Sequence, residues 1–287
     1  MSTMPLKPSQ RSQWIKQSEI RAMTRECQRR NGINMAQGVC DLPIPEAVMR
    51  GAEEAIRGGV NTYTAAEGQE GLRRAIAAKY HRRYGLAIDP HHEVLVSLGA
   101  TGAFYVTAQA LLDPGDEVVL LEPYYGYHRA TLTALGCPTR TLHCSPPSWS
   151  IDPTELEAAI TPTTRALVLS TPSNPSGKVL SRTDLEMLAD VLERHDLLLF
   201  SDEIYEHFVY DGRQHLPPAC LPRLRPRTIT IGGFSKIFAI TGWRLGYALC
   251  PEEILQVAAD INDLIYVCAP APLQTGVTSG LLALGSE

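Results

Sequence analysis

Gly232-Gly233-Phe234-Ser235-Lys236-Ile237-Phe238-Ala239-Ile240-Thr241-Gly242-Trp243-Arg244-Leu245-Gly246-Tyr247 sets a single lysine among apolar and glycine residues, with a hydroxyl beside it and an arginine eight residues on. Such surroundings strip water from an amine, which lowers its pKa and frees it to attack a carbonyl. Serine and arginine suit a phosphate, the arginine through its planar fork. Taken by itself, the segment also reads as a surface lysine on a glycine-rich loop.

The chain on either side alternates helical and strand-like segments, which predicts an α/β protein with a mostly parallel sheet. Strands are expected at 94–97, 117–121, 166–170, 197–201, 228–231 and 246–250. Helices are expected over 14–30, from Pro45 to 57, over 71–84 and from Gly99 to 112, with an irregular stretch over 31–45. Leu185, Leu188, Val191 and Leu192 recur at helical spacing, and 273–284 reads as the start of a long helix. Asp113-Pro114-Gly115-Asp116 is a turn by composition.

At 287 residues the chain can bury a sizeable core, and 44% hydrophobic with 20% charged residues is an ordinary globular balance. A net charge of −5 gives no electrostatic case for nucleic acid or an anionic membrane as partner. No apolar run is long enough to span a bilayer, and residues 1–17 are too polar for a signal peptide. Seven cysteines without a CxxC spacing read as reduced thiols, which predicts a cytoplasmic protein.

Several polar signals fall just past strands, where open α/β sheets bind ligands. Asp202 follows the apolar run 197–200, placed to hold a protonated ring nitrogen, and Tyr205 lies three residues on; alone, Asp202 also reads as a solvent-facing acid. Thr171-Pro172-Ser173-Asn174-Pro175-Ser176-Gly177-Lys178 is a turn, with Lys178 expected to be a solvated loop charge. Gly99-Ala100-Thr101 opens a helix whose free N–H groups form a natural phosphate seat. There is no GxGxxG and no GxxxxGK[ST], so dinucleotides and nucleoside triphosphates are not favoured. Glu122-Pro123-Tyr124-Tyr125-Gly126-Tyr127 offers aromatic faces for stacking or for packing. Glu203 and His207 could share a helix face, but no third ligand is spaced to make a metal site. Arg73-Arg74 and His81-Arg82-Arg83 read as a solvated helix face, and His91-His92 and His143-Cys144 as ordinary surface or core residues.

An amine able to form a Schiff base beside a phosphate clamp is the chemistry of pyridoxal 5′-phosphate. The segment around Lys236 resembles the Schiff-base segment of the class I/II aminotransferases, fold-type I pyridoxal phosphate enzymes. Asp202-Glu203-Ile204-Tyr205 and Asn174-Pro175-Ser176-Gly177 are similar to that family's Asp-x-x-Tyr and Asn-Pro-x-Gly segments. The resemblance runs from about residue 31 to the end of the sequence. It implies a fold-type I large domain over 46–287 that ends in the start of the inter-domain helix. Residues 1–45 would be an N-terminal arm and part of an incomplete small domain.

It also implies roles. Lys236 would hold the cofactor and move the substrate proton, Asp202 would pair with the ring nitrogen, and Tyr205 and Asn174 would flank the phenolic oxygen. Tyr125 would stack on the ring, while Gly99, Ala100, Thr101, Ser235 and Arg244 would surround the phosphate. Gly38, with Asn174, would lie near the substrate carboxylate; Cys40 stands where the family often has proline. Tyr63 would reach the phosphate of the neighbouring subunit in a homodimer.

The implied reaction is ping-pong amino transfer from an L-amino acid to a 2-oxo acid. A carbon–sulfur β-lyase of the same fold and a non-catalytic cofactor-binding fragment are the alternatives. Family members continue beyond the point where this sequence stops and supply a C-terminal arginine for the substrate α-carboxylate. No arginine follows Arg244 here, so the expectation is a fragment of a longer protein or a chain of impaired activity.

Overall fold

The computed structural model describes residues 6–15 and 19–285. Its centre is a seven-stranded sheet of β1 (Val94–Leu98), β2 (Glu117–Glu122), β3 (Thr139–His143), β4 (Thr164–Ser170), β5 (Leu198–Asp202), β6 (Thr228–Gly233) and β7 (Leu245–Leu249). The spatial order is β1-β7-β6-β5-β4-β2-β3. Strands β2 to β6 pair in parallel, and β7 runs antiparallel to both of its neighbours. The α/β class and the mostly parallel sheet expected from the alternating pattern are therefore observed.

Period-two alternation in the strands explains how helices cover both faces. Val118, Leu120, Ala166, Val168 and Phe200 point to one side. There α5 (Gly99–Leu111), α6 (Gly126–Leu135) and α9 (Glu252–Tyr266) supply Phe104, Leu132 and Ala258. Val119, Leu167, Leu169 and Leu199 point to the other side, against α7 (Pro153–Ala159) and α8 (Arg182–Arg194). The helical recurrence of Leu185, Leu188, Val191 and Leu192 is the buried stripe of α8, which starts at a Ser181–Asp184 capping box. At the β1–β7 end the same face is covered by α3 (Glu46–Arg57), α4 (Glu70–Tyr84) and α10 (Ala271–Ala283).

Two expectations change. The helix expected over 14–30 is found as α2 (Glu19–Arg29), preceded by a separate short α1 (Gln10–Trp14) that ends at Ile15 in extended backbone. Residues 16–18, inside that expectation, lie outside the described residues. Strand β3 has no counterpart among the expected strands: as an edge strand it buries little besides Leu142, so its sequence, Thr-Arg-Thr-Leu-His, lacks an apolar run.

Helices α3 and α10 approach closely through glycine. A Cβ on Gly276 would lie 2.7 Å from the Val48 carbonyl oxygen and 2.8 Å from the Ala52 Cβ. Gly276→Val should therefore overpack this contact and lower stability by about 1–3 kcal/mol. Urea unfolding tests this: the midpoint should fall with little change in slope, and an unchanged midpoint would show that the two helices tolerate separation.

Candidate functional site

Because β7 is reversed, its first residue lies at the same sheet edge as the last residues of β1, β4, β5 and β6. Every loop carrying a polar signal leaves from that edge. Together with α2 and the 36–39 loop, these loops enclose a cleft of about 490 Å³. Its lining includes Gly38, Ala100, Thr101, Tyr125, Asn174, Asp202, Tyr205, Ser235, Lys236 and Arg244.

The lysine is placed by apolar anchors. Phe234, Phe238 and Ile240 are buried beneath the turn after β6, and Ser235 and Lys236 face the cleft above them. The Lys236 Nζ donates to the Gly38 carbonyl at 2.7 Å and lies 5.6 Å from the centre of the Tyr205 ring. Burial lowers the pKa of this amine below the ordinary lysine value; Cys40 works against the shift, and the Arg244 charge adds a smaller lowering.

At one end the cleft is cationic and rich in N–H donors. Gly99 has a φ of +71° and starts α5, whose first-turn N–H groups have no partner within the helix. The Arg244 Nη2 lies 2.5 Å from where a Gly99 Cβ would be, so the missing side chain is what lets the guanidinium rest on this backbone. Gly99 thus sits behind Arg244 rather than on the cleft wall. Arg244 is itself in the left-handed region, with a φ of +55°, and donates to the Thr241 carbonyl at 3.1 Å. A Cβ on Gly246 would collide with the backbone of Gly99 and Ala100, which shows how closely β7 abuts the start of α5.

The middle of the cleft carries the ring-sized surface. Asp202 is buried rather than solvent-facing; its Oδ1 accepts from the Ile204 N–H at 3.2 Å, and its Oδ2 is 3.1 Å from the His128 Nε2. His128, missed in the sequence, is buried between Phe104 and Tyr125 at centroid distances of 4.8 and 5.5 Å. A signal was present, because it lies one helical turn after Tyr125. The Tyr125 ring stacks on Tyr127 at 5.1 Å, and burial, followed by that neighbour, pushes its phenol up to about 12. Tyr205 is also raised, by burial and then by the Asp202 charge, with a hydrogen bond to Asn174 acting in the opposite direction.

Tyr63 is not part of this cleft; it is 82% exposed. Arg21 of α2, also missed, lines the cleft mouth and donates from Nε to the Tyr127 hydroxyl at 3.1 Å. Its position within a long charged helix carried no sign of this.

One charge expectation is corrected. Lys178 is not a solvated charge: its side chain is 20% exposed and pairs with Asp184 at 3.3 Å, since the loop folds back on the first turn of α8. Residues 81–83 are exposed, as expected, and two of them also reach neighbouring elements. Arg83 donates to the Glu206 carbonyl at 3.1 Å and contacts His207, and Arg82 reaches the Leu281 carbonyl at 3.4 Å. Glu203 faces His215 while His207 faces Arg83, and among the described residues no cluster suits a metal ion.

These donors fit pyridoxal phosphate. A guanidinium beside a helix N-terminus, an aromatic ring, a buried carboxylate and a partly desolvated amine line one cleft. The family model for aminotransferase class I and II matches residues 30–283. A probable N-succinyldiaminopimelate aminotransferase of Mycobacterium tuberculosis is 38% identical over 257 residues, 89% of this chain and 64% of that protein. Kynurenine–oxoglutarate transaminase 1 of Mus musculus is 38% identical over 258 residues, 85% of this chain and 61% of that protein. The chain thus spans less than two thirds of the length of these relatives. Among solved structures, N-succinyldiaminopimelate aminotransferase from Mycobacterium tuberculosis aligns with a TM-score of 0.94 at 35% identity, covering 98% of this chain and 73% of that one. Aspartate aminotransferase from Thermus thermophilus with maleate gives 0.91 at 34% identity, covering 98% and 74%. By sequence and fold together, the chain belongs to the aminotransferase class I and II family, whose members use pyridoxal phosphate.

Proposed function

We propose that this chain is the cofactor-binding part of an aminotransferase that moves an amino group from an L-amino acid to a 2-oxo acid. The observation that carries this reading is a partly desolvated lysine amine sharing a cleft with a buried, histidine-paired carboxylate. Bound pyridoxal phosphate would supply an aldehyde for the amine and a ring that accepts electrons. Lys236 would hold the cofactor through Nζ and, when its amine is free, would carry the proton taken from the substrate Cα. Asp202, oriented by His128, keeps negative charge at the ring nitrogen. Tyr205 and Asn174 hold the phenolic oxygen, and Tyr125 covers a ring face. Ser235, Arg244 and the first-turn N–H groups of Ala100 and Thr101 would hold the phosphate, with Gly99 behind them giving Arg244 room to lie against the backbone. Gly38 and Asn174 meet the substrate, the former through a backbone that already contacts Lys236.

The reading extends to the organisation of the protein. Residues 46–287 form the cofactor domain, and residues 1–45 an arm and part of a small domain; the sheet, confined to 94–249, supports this division. An exposed Tyr63 suits a homodimer in which it reaches the neighbouring phosphate. Seven free thiols suit the cytoplasm. The relatives are named for different amino donors, so amino transfer to a 2-oxo acid is the part of the reading they support in common.

Adding pyridoxal phosphate should give a visible absorbance band that an amino acid donor bleaches, with parallel initial-rate lines in steady state. Lys236→Ala should lower turnover by at least about 100-fold, and a variant of near-normal rate would refute the assignment. In the cofactor-free chain, the lowered pKa means that Lys236 becomes neutral at a lower pH than an ordinary lysine. Reductive methylation followed by mass spectrometry near pH 8 should modify it faster than exposed Lys7; equal or slower rates would contradict a functional desolvation.

A further inference from the structure

The turn after β5 has two faces. Asp202 and Tyr205 line the cleft, while Glu203 and Glu206, alternating with them, are almost completely buried on the far side. The turn is closed by Glu206 N–H donating to the Glu203 carbonyl at 3.0 Å and Phe208 N–H to the Tyr205 carbonyl at 2.8 Å. A buried carboxylate needs charge and hydrogen-bond partners, and each of these acids has its own set.

Glu203 accepts from the Ser201 hydroxyl at 2.9 Å and the Thr230 hydroxyl at 3.3 Å, and faces the His215 Nε2 at 2.8 Å. Glu206 forms an ion pair with Lys79 of α4 and accepts from the Tyr84 hydroxyl at 2.8 Å. Lys79 also donates to the Tyr247 hydroxyl at 2.7 Å, which is 3.1 Å from the Tyr80 hydroxyl. Burial alone would raise the Glu206 carboxyl, but the Lys79 ammonium leads the effects that outweigh it and hold the group at about 2.

This network lies within an apolar cluster containing Leu72, Ile76, Phe234 and Val277. Replacing a buried ion pair there with apolar side chains is often neutral for stability. A fully satisfied polar network instead fixes a single geometry. Neither Lys79 nor Glu206 lines the cleft, yet Glu206 is bonded in sequence to Tyr205.

We propose that the Lys79–Glu206 pair is a positioning device: by anchoring the back of the turn to α4 and β7, it holds the Tyr205 hydroxyl at its station in the cleft and so sets cofactor affinity from outside the site. The proposal rests on the reading of Tyr205 as a cofactor-binding group. Its test uses the paired apolar variant Lys79→Met/Glu206→Leu, with Tyr205→Phe as reference. The measurements are thermal unfolding of the cofactor-free chain, pyridoxal phosphate affinity, and the pH midpoint of the visible band.

The paired variant should unfold within a few degrees of the parent. It should nevertheless lose affinity by about tenfold, the worth of one well-placed hydrogen bond, and shift the pH midpoint in the same direction as Tyr205→Phe. Adding Tyr205→Phe to the paired variant should cost little more, because both changes remove the same interaction. Parent-like affinity and pH midpoint in a folded paired variant would overturn the proposal. If that variant does not fold, Tyr84→Phe removes one hydrogen bond to Glu206 while keeping the ion pair. It should give a smaller shift of the same sign, and no shift where Tyr205→Phe shows one would again overturn the proposal. A parent chain that forms no visible band would defeat the cofactor reading itself, and this proposal with it.

Discussion

The reversed direction of β7 is the constraint on which the site depends. In an all-parallel sheet, the chain leaving β6 would need a crossover helix before it could enter the next strand. With β7 antiparallel to β6, the eleven-residue connection from Phe234 to Arg244 stays at one sheet edge and carries both Lys236 and Arg244. The same reversal places β7 between β6 and β1, so the entry of β7 meets the start of α5, where glycines at 99 and 246 permit backbone contact. One strand direction thus brings together the amine, the guanidinium and the helix N-terminus.

Charge burial imposes the second layer of order. Asp202 lies at the end of a central strand, buried, and a carboxylate there is costly unless it is paired. His128 and the Ile204 N–H meet that need from opposite elements, so the carboxylate is both partnered and oriented. Behind it, Glu203 and Glu206 repeat the arrangement with His215 and Lys79. Three acids within five residues are each held by a different part of the chain, which leaves this turn little freedom to drift.

What was legible in the sequence follows from this physics. Strand-end signals such as Asp202 and Lys236 stand out because apolar runs precede them, and the run itself is the evidence for burial. His128 did not stand out, since α6 mixes polar and small residues and buries only two side chains. Strand β3 was hidden for a similar reason, lying at an edge with most side chains exposed. The partners of Glu206 lie on α4 and β7, far away in sequence, and no local spacing can announce a contact between Lys79 and Glu206.

The two ends of the cleft differ in how strongly the fold dictates them. The inner end is built from strand termini, Ser235 and buried Asp202, all fixed by the sheet. The mouth is built from α2, which has no buried residue, and from the 36–39 loop, whose main tie to the sheet is the Lys236–Gly38 hydrogen bond. Arg21 reaches the cleft there only through an exposed helix and a single bond to Tyr127. Changes at the mouth leave the packing of the sheet undisturbed, whereas changes at the inner end disturb core and cleft together. A mouth held this lightly can change in sequence without moving the strand ends, because its elements contribute little to the core.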